Sequence, residues 1–252
     1  VPATSEPALT PARPLLALGR MNHEAAVVDP ASGVVYLTED REESLCYRLL
    51  PEVPGELARG GKLQALRLRH GPSDTRNWKG SPQFQPAKTF EVDWVTLDGV
   101  DSLEDDLRLR GHAEKSAALF ARGEGIWASR GPALRGQIFR YVPSEREGQS
   151  GESVRPGTIE LFLETDAASD LHNPDNLTIA PWGDLFVCED GGGNDGLVRI
   201  DPRGNLATIA RNTYTRSELT GVCFSPDGAT LFVNLQQPGI TLAITGPFRR
   251  HG

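Results

Sequence analysis

Apolar positions along this chain come in short runs separated by proline- and glycine-containing turns, and three of the runs repeat one phrase. In the first, Ala25-Ala26-Val27-Val28 leads into Asp29-Pro30 and Gly33, and Val34-Val35-Tyr36-Leu37 leads out to Thr38-Glu39-Asp40. The second passes from Leu177-Thr178-Ile179-Ala180 through Pro181-Trp182-Gly183 to Leu185-Phe186-Val187-Cys188 and ends on Glu189-Asp190. The third carries Val222-Cys223-Phe224, the turn Ser225-Pro226-Asp227-Gly228, and a second strand reaching Leu235-Gln236. Each phrase predicts a hairpin, because proline presets one turn position and glycine accepts a positive φ without strain. A further strand follows the first two, Leu45–Leu49 and Gly196–Ile200, and a similar one runs from Gln137 to Tyr141. The turn glycines Gly183 and Gly228 are 45 residues apart. Strand, turn, strand, strand at that pitch is the arithmetic of a β-propeller blade.

A weaker copy begins at Arg122-Gly123-Glu124-Gly125-Ile126-Trp127, with Ala128 to Arg135 reading as loop. Elsewhere Phe90 to Val95 alternates as a strand, and Asp101 to Phe120 predicts a capped helix from its acidic start and Ala/Leu-rich continuation. Glu145 to Arg155 reads as a polar loop and Thr241 to Gly246 as a last strand. The expected organisation is all-β, a single β-propeller domain over 1–252 or its C-terminal part, with an irregular insertion at about 50–121.

Composition agrees with many short strands and tight turns: 27 glycines and 19 prolines in 252 residues. A net charge of -8 favours cations over nucleic acid, which calls for a basic face. No apolar run reaches the roughly 20 residues that cross a bilayer as a helix. Cys46, Cys188 and Cys223 show no CxxC spacing, so neither a disulfide framework nor a zinc knuckle is indicated. An export signal would have preceded Val1.

Aligned on their prolines, the first two phrases set Asn22 opposite Asn173 and Glu24 opposite Asp175, with Glu39-Asp40 opposite Glu189-Asp190. Equivalent positions of successive blades surround one axis, so these acids converge on a channel. Their mutual repulsion is relieved by protonation or by a cation, and oxygen donors suit hard ions. The third phrase has Thr220 and Leu235-Gln236 at those places, so the fold does not need the acids there. Acids at strand ends also serve as turn-formers and solvated caps. His23 and His172 read as hydrogen-bonding residues, and Cys188 as a small buried side chain with thiolate ligation as the alternative. Arg122, between glycines and two residues from Glu124, is the candidate anion contact, with a surface ion pair as its other reading.

The run Leu18-Gly19-Arg20-Met21-Asn22-His23-Glu24-Ala25, with the phrase that follows it, resembles the alkaline phosphatases of the PhoX type. So do Asp74-Thr75-Arg76-Asn77-Trp78, Arg122 to Trp127, Asn173-Pro174-Asp175-Asn176-Leu177, Pro181 to Leu185, and Phe224 to Gly228. The resemblance implies a six-bladed propeller, about half of it in this chain, that hydrolyses phosphate monoesters with iron and calcium ions in its channel. It implies metal ligation by Glu24, Glu124 and Asp175, and less directly by Glu39, Asp40, Asn176, Glu189 and Asp190. Arg122 would contact the substrate phosphate and, with Glu124, serve catalysis. A periplasmic or extracellular setting goes with the family, as does an N-terminal half whose Cys-Glu-Glu segment supplies an iron ligand. The expected partner is a small phosphate ester, with no nucleic acid and no membrane. The alternatives are a calcium-dependent, lactonase-like propeller hydrolase and a non-catalytic domain stapled by metal.

Overall fold

The computed structural model of the chain describes residues 12–78, 84–104, 106–125, 128–131, 135–166, 168–191 and 193–248, with backbone alone at 128–131 and 135. The first hairpin phrase forms β1 (His23–Val28) and β2 (Val35–Glu39), followed by β3 (Tyr47–Pro51) and β4 (Gly61–Leu68). Then come β5 (Thr89–Thr96), β6 (Ala128–Gly131), β7 (Arg135–Val142) and β8 (Thr158–Glu164). These make one curled sheet in the order β1-β2-β3-β4-β5-β8-β7-β6. The second phrase forms β9 (Pro174–Ile179) and β10 (Leu185–Glu189), joined by β11 (Gly196–Ile200) and β12 (Leu206–Arg211) in the order β12-β11-β10-β9. The third forms β13 (Leu219–Phe224), β14 (Thr230–Leu235) and β15 (Ile240–Thr245), hydrogen-bonded in sequence.

All named pairings are antiparallel, and β9 packs against both β6 and β13. The architecture is that of a β-propeller, with the first strand of each phrase innermost. The three hairpins close identically. Asp40, Asp190 and Gln236 donate their amides to the carbonyls of Asn22, Asn173 and Glu218 at 2.9, 3.1 and 3.2 Å. At the other end the turns close at Gly33, Gly183 and Gly228, all with positive φ.

β5 joins two blades. Its residues Val92 to Thr96 pair with β4, whereas Thr89 to Glu91 pair with β8. Burial follows the predicted alternation at its start, with Phe90 and Val92 inside and Glu91 outside. Phe90 stacks on Phe84, which also stacks on Phe139, so the core between the blades is aromatic. Each such aromatic pair adds about 0.5–1.5 kcal/mol beyond the area it buries. A second aromatic cluster of Trp182, Phe186, Phe224 and Phe248 packs β9–β12 against β13–β15.

Arg48 is buried at 1% exposure, and its guanidinium meets the carboxylates of Glu147 and Glu152 from the polar loop after β7. Glu147 also accepts hydrogen bonds from the hydroxyls of Tyr36 and Tyr141, and Arg48 lies over the Trp94 ring. The polar composition of this loop thus marks a buried ionic tie as well as solvent exposure.

Two expectations are corrected. The helix is α1 (Leu107–Lys115), shorter than Asp101 to Phe120, and Asp106 at its N-cap makes no side-chain cap bond. The Ala/Leu-rich continuation is buried extended chain: Ala118 and Phe120 donate their amides to the carbonyls of Leu66 and Ser44. Tertiary hydrogen bonding to neighbouring strands overrides its helical propensity. Likewise the stretch read as loop contains β6, paired with β7 from Ala128↔Ile138 to Gly131↔Arg135. Its short Ala-Ser-Arg-Gly sequence has no apolar alternation, so the strand is imposed by its neighbours. Ile126 and Trp127 of that weaker phrase lie outside the described residues.

Candidate active site

The innermost strands carry carboxylates to one end of the channel. Glu24 stands on β1, Glu124 on the segment leading into β6, and Asp175 on β9. Each offers an oxygen within 4.8 Å of the others. Asp175 belongs also to a second group of the same spacing, with Asp190 and Glu218.

Main-chain ties between blades set this geometry. Thr38 donates its hydroxyl to the Glu124 carbonyl at 2.6 Å and accepts the Ala25 amide at 3.0 Å, so one side chain spans both strands. Gly123 donates to the Glu39 carbonyl and Gly125 to the Asp175 carbonyl, each at 2.9 Å. A Cβ on Gly125 would lie 2.5 Å from that carbonyl oxygen, and one on Gly123 would lie 3.0 Å from the carbonyl oxygen of Glu39. The glycines flanking Glu124 therefore permit close approach of neighbouring blades, where the sequence suggested approach of a ligand.

Arg122 occupies the left-handed region at φ 43°. Its Nε and Nη2 donate to the two carboxylate oxygens of Asp40 at 2.6 and 2.8 Å, and Nη2 lies 3.3 Å from Oε1 of Glu124. Such a fork fixes the guanidinium plane, and the charges of Asp40, Glu124 and Asp190 hold the group firmly protonated.

The other predicted ligands have different surroundings. Glu39 and Glu189 are buried and belong to neither acidic group. Glu39 accepts the Tyr47 hydroxyl at 2.8 Å, and Glu189 accepts the amides of His172 and Gly196, both at 2.7 Å. Asp40 is engaged by Arg122, and the Asn176 side-chain oxygen accepts the Val222 amide at 3.0 Å, joining β9 to β13. His23 hydrogen-bonds to the Gly19 carbonyl. Cys188 packs in the core, where burial pushes its thiol up to about 12 and keeps it protonated.

Glu218 is the participant that the repeat comparison missed. It sits eight residues before Pro226, the offset that aligns Asn22 with Pro30 and Asn173 with Pro181. Testing the third phrase at that offset, as well as six residues before the proline, finds it. Burial, followed by the neighbouring Asp175 and Asp190 carboxylates, pushes Glu218 up to about 8. The cluster thus holds a proton near neutral pH, a place that a cation can take.

Fold and site together define a β-propeller protein with clustered carboxylates and a paired arginine at one end of its channel. The chain belongs to the alkaline phosphatase PhoX family, whose pattern matches residues 1–133 and 128–239. Its fold is similar to that of Pseudomonas fluorescens PhoX, solved in complex with vanadate, a transition-state analogue. The TM-score is 0.65 and the identity 19%, covering 91% of this chain and 54% of that one. The chain thus spans about half the length of that relative. A gluconolactonase from Xanthomonas campestris aligns with TM-score 0.41 at 15% identity, over 90% of this chain and 58% of that one. A putative 6-phosphogluconolactonase from Bacteroides uniformis aligns at 0.40 and 13%, over 89% and 68%. No curated protein matches the chain.

Proposed function

We propose that this chain provides the metal-dependent site of a phosphomonoesterase, acting on small phosphate esters at the acidic end of the channel. The observation that carries the reading is the sharing of Asp175 between two carboxylate groups, with Arg122 held 3.3 Å from Glu124 beside them. Family membership supports the reaction class.

The residues fit hard cations. All the clustered donors are carboxylate oxygens, three in each group and within 4.8 Å of one another, the donor chemistry that hard cations take. Glu24, Glu124 and Asp175 would hold one ion; Asp175, Asp190 and Glu218 would hold a second. Calcium and iron are the ions that the family resemblance implies. When bound, such cations polarise phosphoryl oxygens and lower the pKa of an attacking water.

The protein's own groups do the rest. Arg122 pairs with a phosphoryl oxygen as charge develops, and Asp40 keeps its guanidinium oriented before substrate arrives. Thr38 and Gly125 hold Glu124 in register with its neighbours. The same reading puts the protein in the periplasm or outside the cell.

The test is hydrolysis of p-nitrophenyl phosphate, measured with the metal content of the same sample. Glu24→Gln is expected to lose metal and turnover together. Full activity in that variant, or lactone hydrolysis without phosphatase activity, overturns the reading. So does a chelator that lowers Tm in a protein turning over no ester, the behaviour of a metal-stapled domain.

A further inference from the structure

The loop between β12 and β13 is built around one buried side chain, Asn212. Its Oδ1 accepts the amides of Tyr214 and Thr215, each at 3.1 Å, and its Nδ2 donates to the Thr215 hydroxyl at 2.9 Å and the Ser217 carbonyl at 2.7 Å. Ser217 Oγ accepts the Gln237 amide at 2.9 Å, fastening the loop to the turn between β14 and β15. Loop and turn enclose an open pocket of about 750 Å³ lined by Tyr214, Arg216 and Gln236, and also by Asp190 and Glu218 of the second acidic group.

Two features of this pocket have no structural use in the fold. Tyr214 is 73% exposed, and its hydroxyl makes no hydrogen bond among the described residues. Arg216 is exposed and has no ion-pair partner among them. A rigid loop that presents an aromatic face and a guanidinium beside a phosphate site has the elements of a recognition surface.

We propose that this pocket is the leaving-group subsite, and that it takes phosphate monoesters with a planar heteroaromatic ring, nucleoside monophosphates being the type. Tyr214 supplies the stacking face, and Arg216 donates to acceptors on the ring edge. The volume suits a nucleoside, lying within the ~300–1,000 Å³ usual for small-molecule sites. This assignment rests on the phosphomonoesterase reading of the adjoining carboxylates.

The experiment is calorimetric titration of the full chain, with calcium present, using inorganic phosphate, adenosine 5′-monophosphate and adenosine as probes. Stacking of this kind predicts that adenosine monophosphate binds about tenfold tighter than inorganic phosphate. Tyr214→Ala should bring the two within about twofold without changing phosphate affinity, and Tyr214→Phe should restore the difference. An unchanged ratio in Tyr214→Ala, or equal affinities in the unmodified protein, overturns the subsite. If neither phosphate ligand binds, the phosphatase reading fails and adenosine decides the pocket by itself. Tyr214-dependent adenosine binding upholds the subsite; its absence removes it.

Discussion

Gly125 donates its amide to the carbonyl of Asp175 at 2.9 Å, so the segment carrying Glu124 and the strand carrying Asp175 are aligned by main chain. The carboxylates then meet without depending on flexible side chains to find one another. That tie leaves no space for a side chain at position 125, which makes it directly testable.

Gly125→Ala places a Cβ 2.5 Å from backbone oxygen, and the blades must part to admit it. Overpacking of this sort costs about 1–3 kcal/mol. A lower Tm together with weakened metal binding is expected. Unchanged metal affinity would show that the tie does not set the site.

The two acidic groups share Asp175 but differ in Glu24 and Glu218. Glu24→Gln and Glu218→Gln should therefore each lower the metal stoichiometry, whereas Asp175→Asn should remove both ions. Elemental analysis of the purified variants separates these outcomes.

Arg122→Lys keeps the charge but loses the fork that grips Asp40. Turnover should fall by about 100- to 1,000-fold, the range for losing a preorganised transition-state donor, with metal content unchanged. Asp40→Asn is expected to give a smaller loss of the same kind. Steady-state kinetics on a phosphate ester checks both.

Arg48→Met leaves Glu147 buried opposite a neutral side chain, with the Tyr36 and Tyr141 hydroxyls and the Ser144 amide still donating to it but no positive charge paired with it. Breaking a buried pair in this way costs about 3–5 kcal/mol. Adding Glu147→Gln should recover part of that loss. Urea unfolding curves of the single and double variants measure the recovery.

Arg69 and Arg67 hold the Asp93 carboxyl below its ordinary value of 3.8. Since the folded state favours the ionised form, this contribution is full above that ordinary value and disappears as pH falls through the lower folded one. Asp93→Asn should be less stable than the unmodified protein at neutral pH. The two Tm–pH curves should converge in acid below the ordinary carboxylate range.

What could be read from the sequence was whatever recurs locally. Alternating strands, proline–glycine turns and the 45-residue interval belong to neighbouring residues, and they located the three hairpins. Alignment on the turn prolines also picked out Glu24 and Asp175, because the acids keep register with the hairpin that bears them. The pairing of Arg122 with Asp40 crosses 82 residues and two blades, and nothing local encodes it. Glu218 replaces an asparagine with an acid at its repeat position, so a search for recurring acids passes over it. Strand β6 is polar and short, and its conformation comes from its neighbours. Glu39 and Glu189, which the resemblance offers as further ligands, lie outside the two acidic groups and accept hydrogen bonds from Tyr47 and from the His172 and Gly196 amides, contacts that no local pattern announces.

Because β5 divides its hydrogen bonds between β4 and β8, the first eight strands form one continuous plate. Widening of the channel mouth then falls to the seams where β9 meets β6 and β13. Those seams run through the acidic groups: Glu124 and Asp175 face each other across one, and Asp175 and Glu218 across the other. A cation bridging either pair would work as a rivet as well as a reagent, and metal loading would tighten the whole stack of plates along with the site.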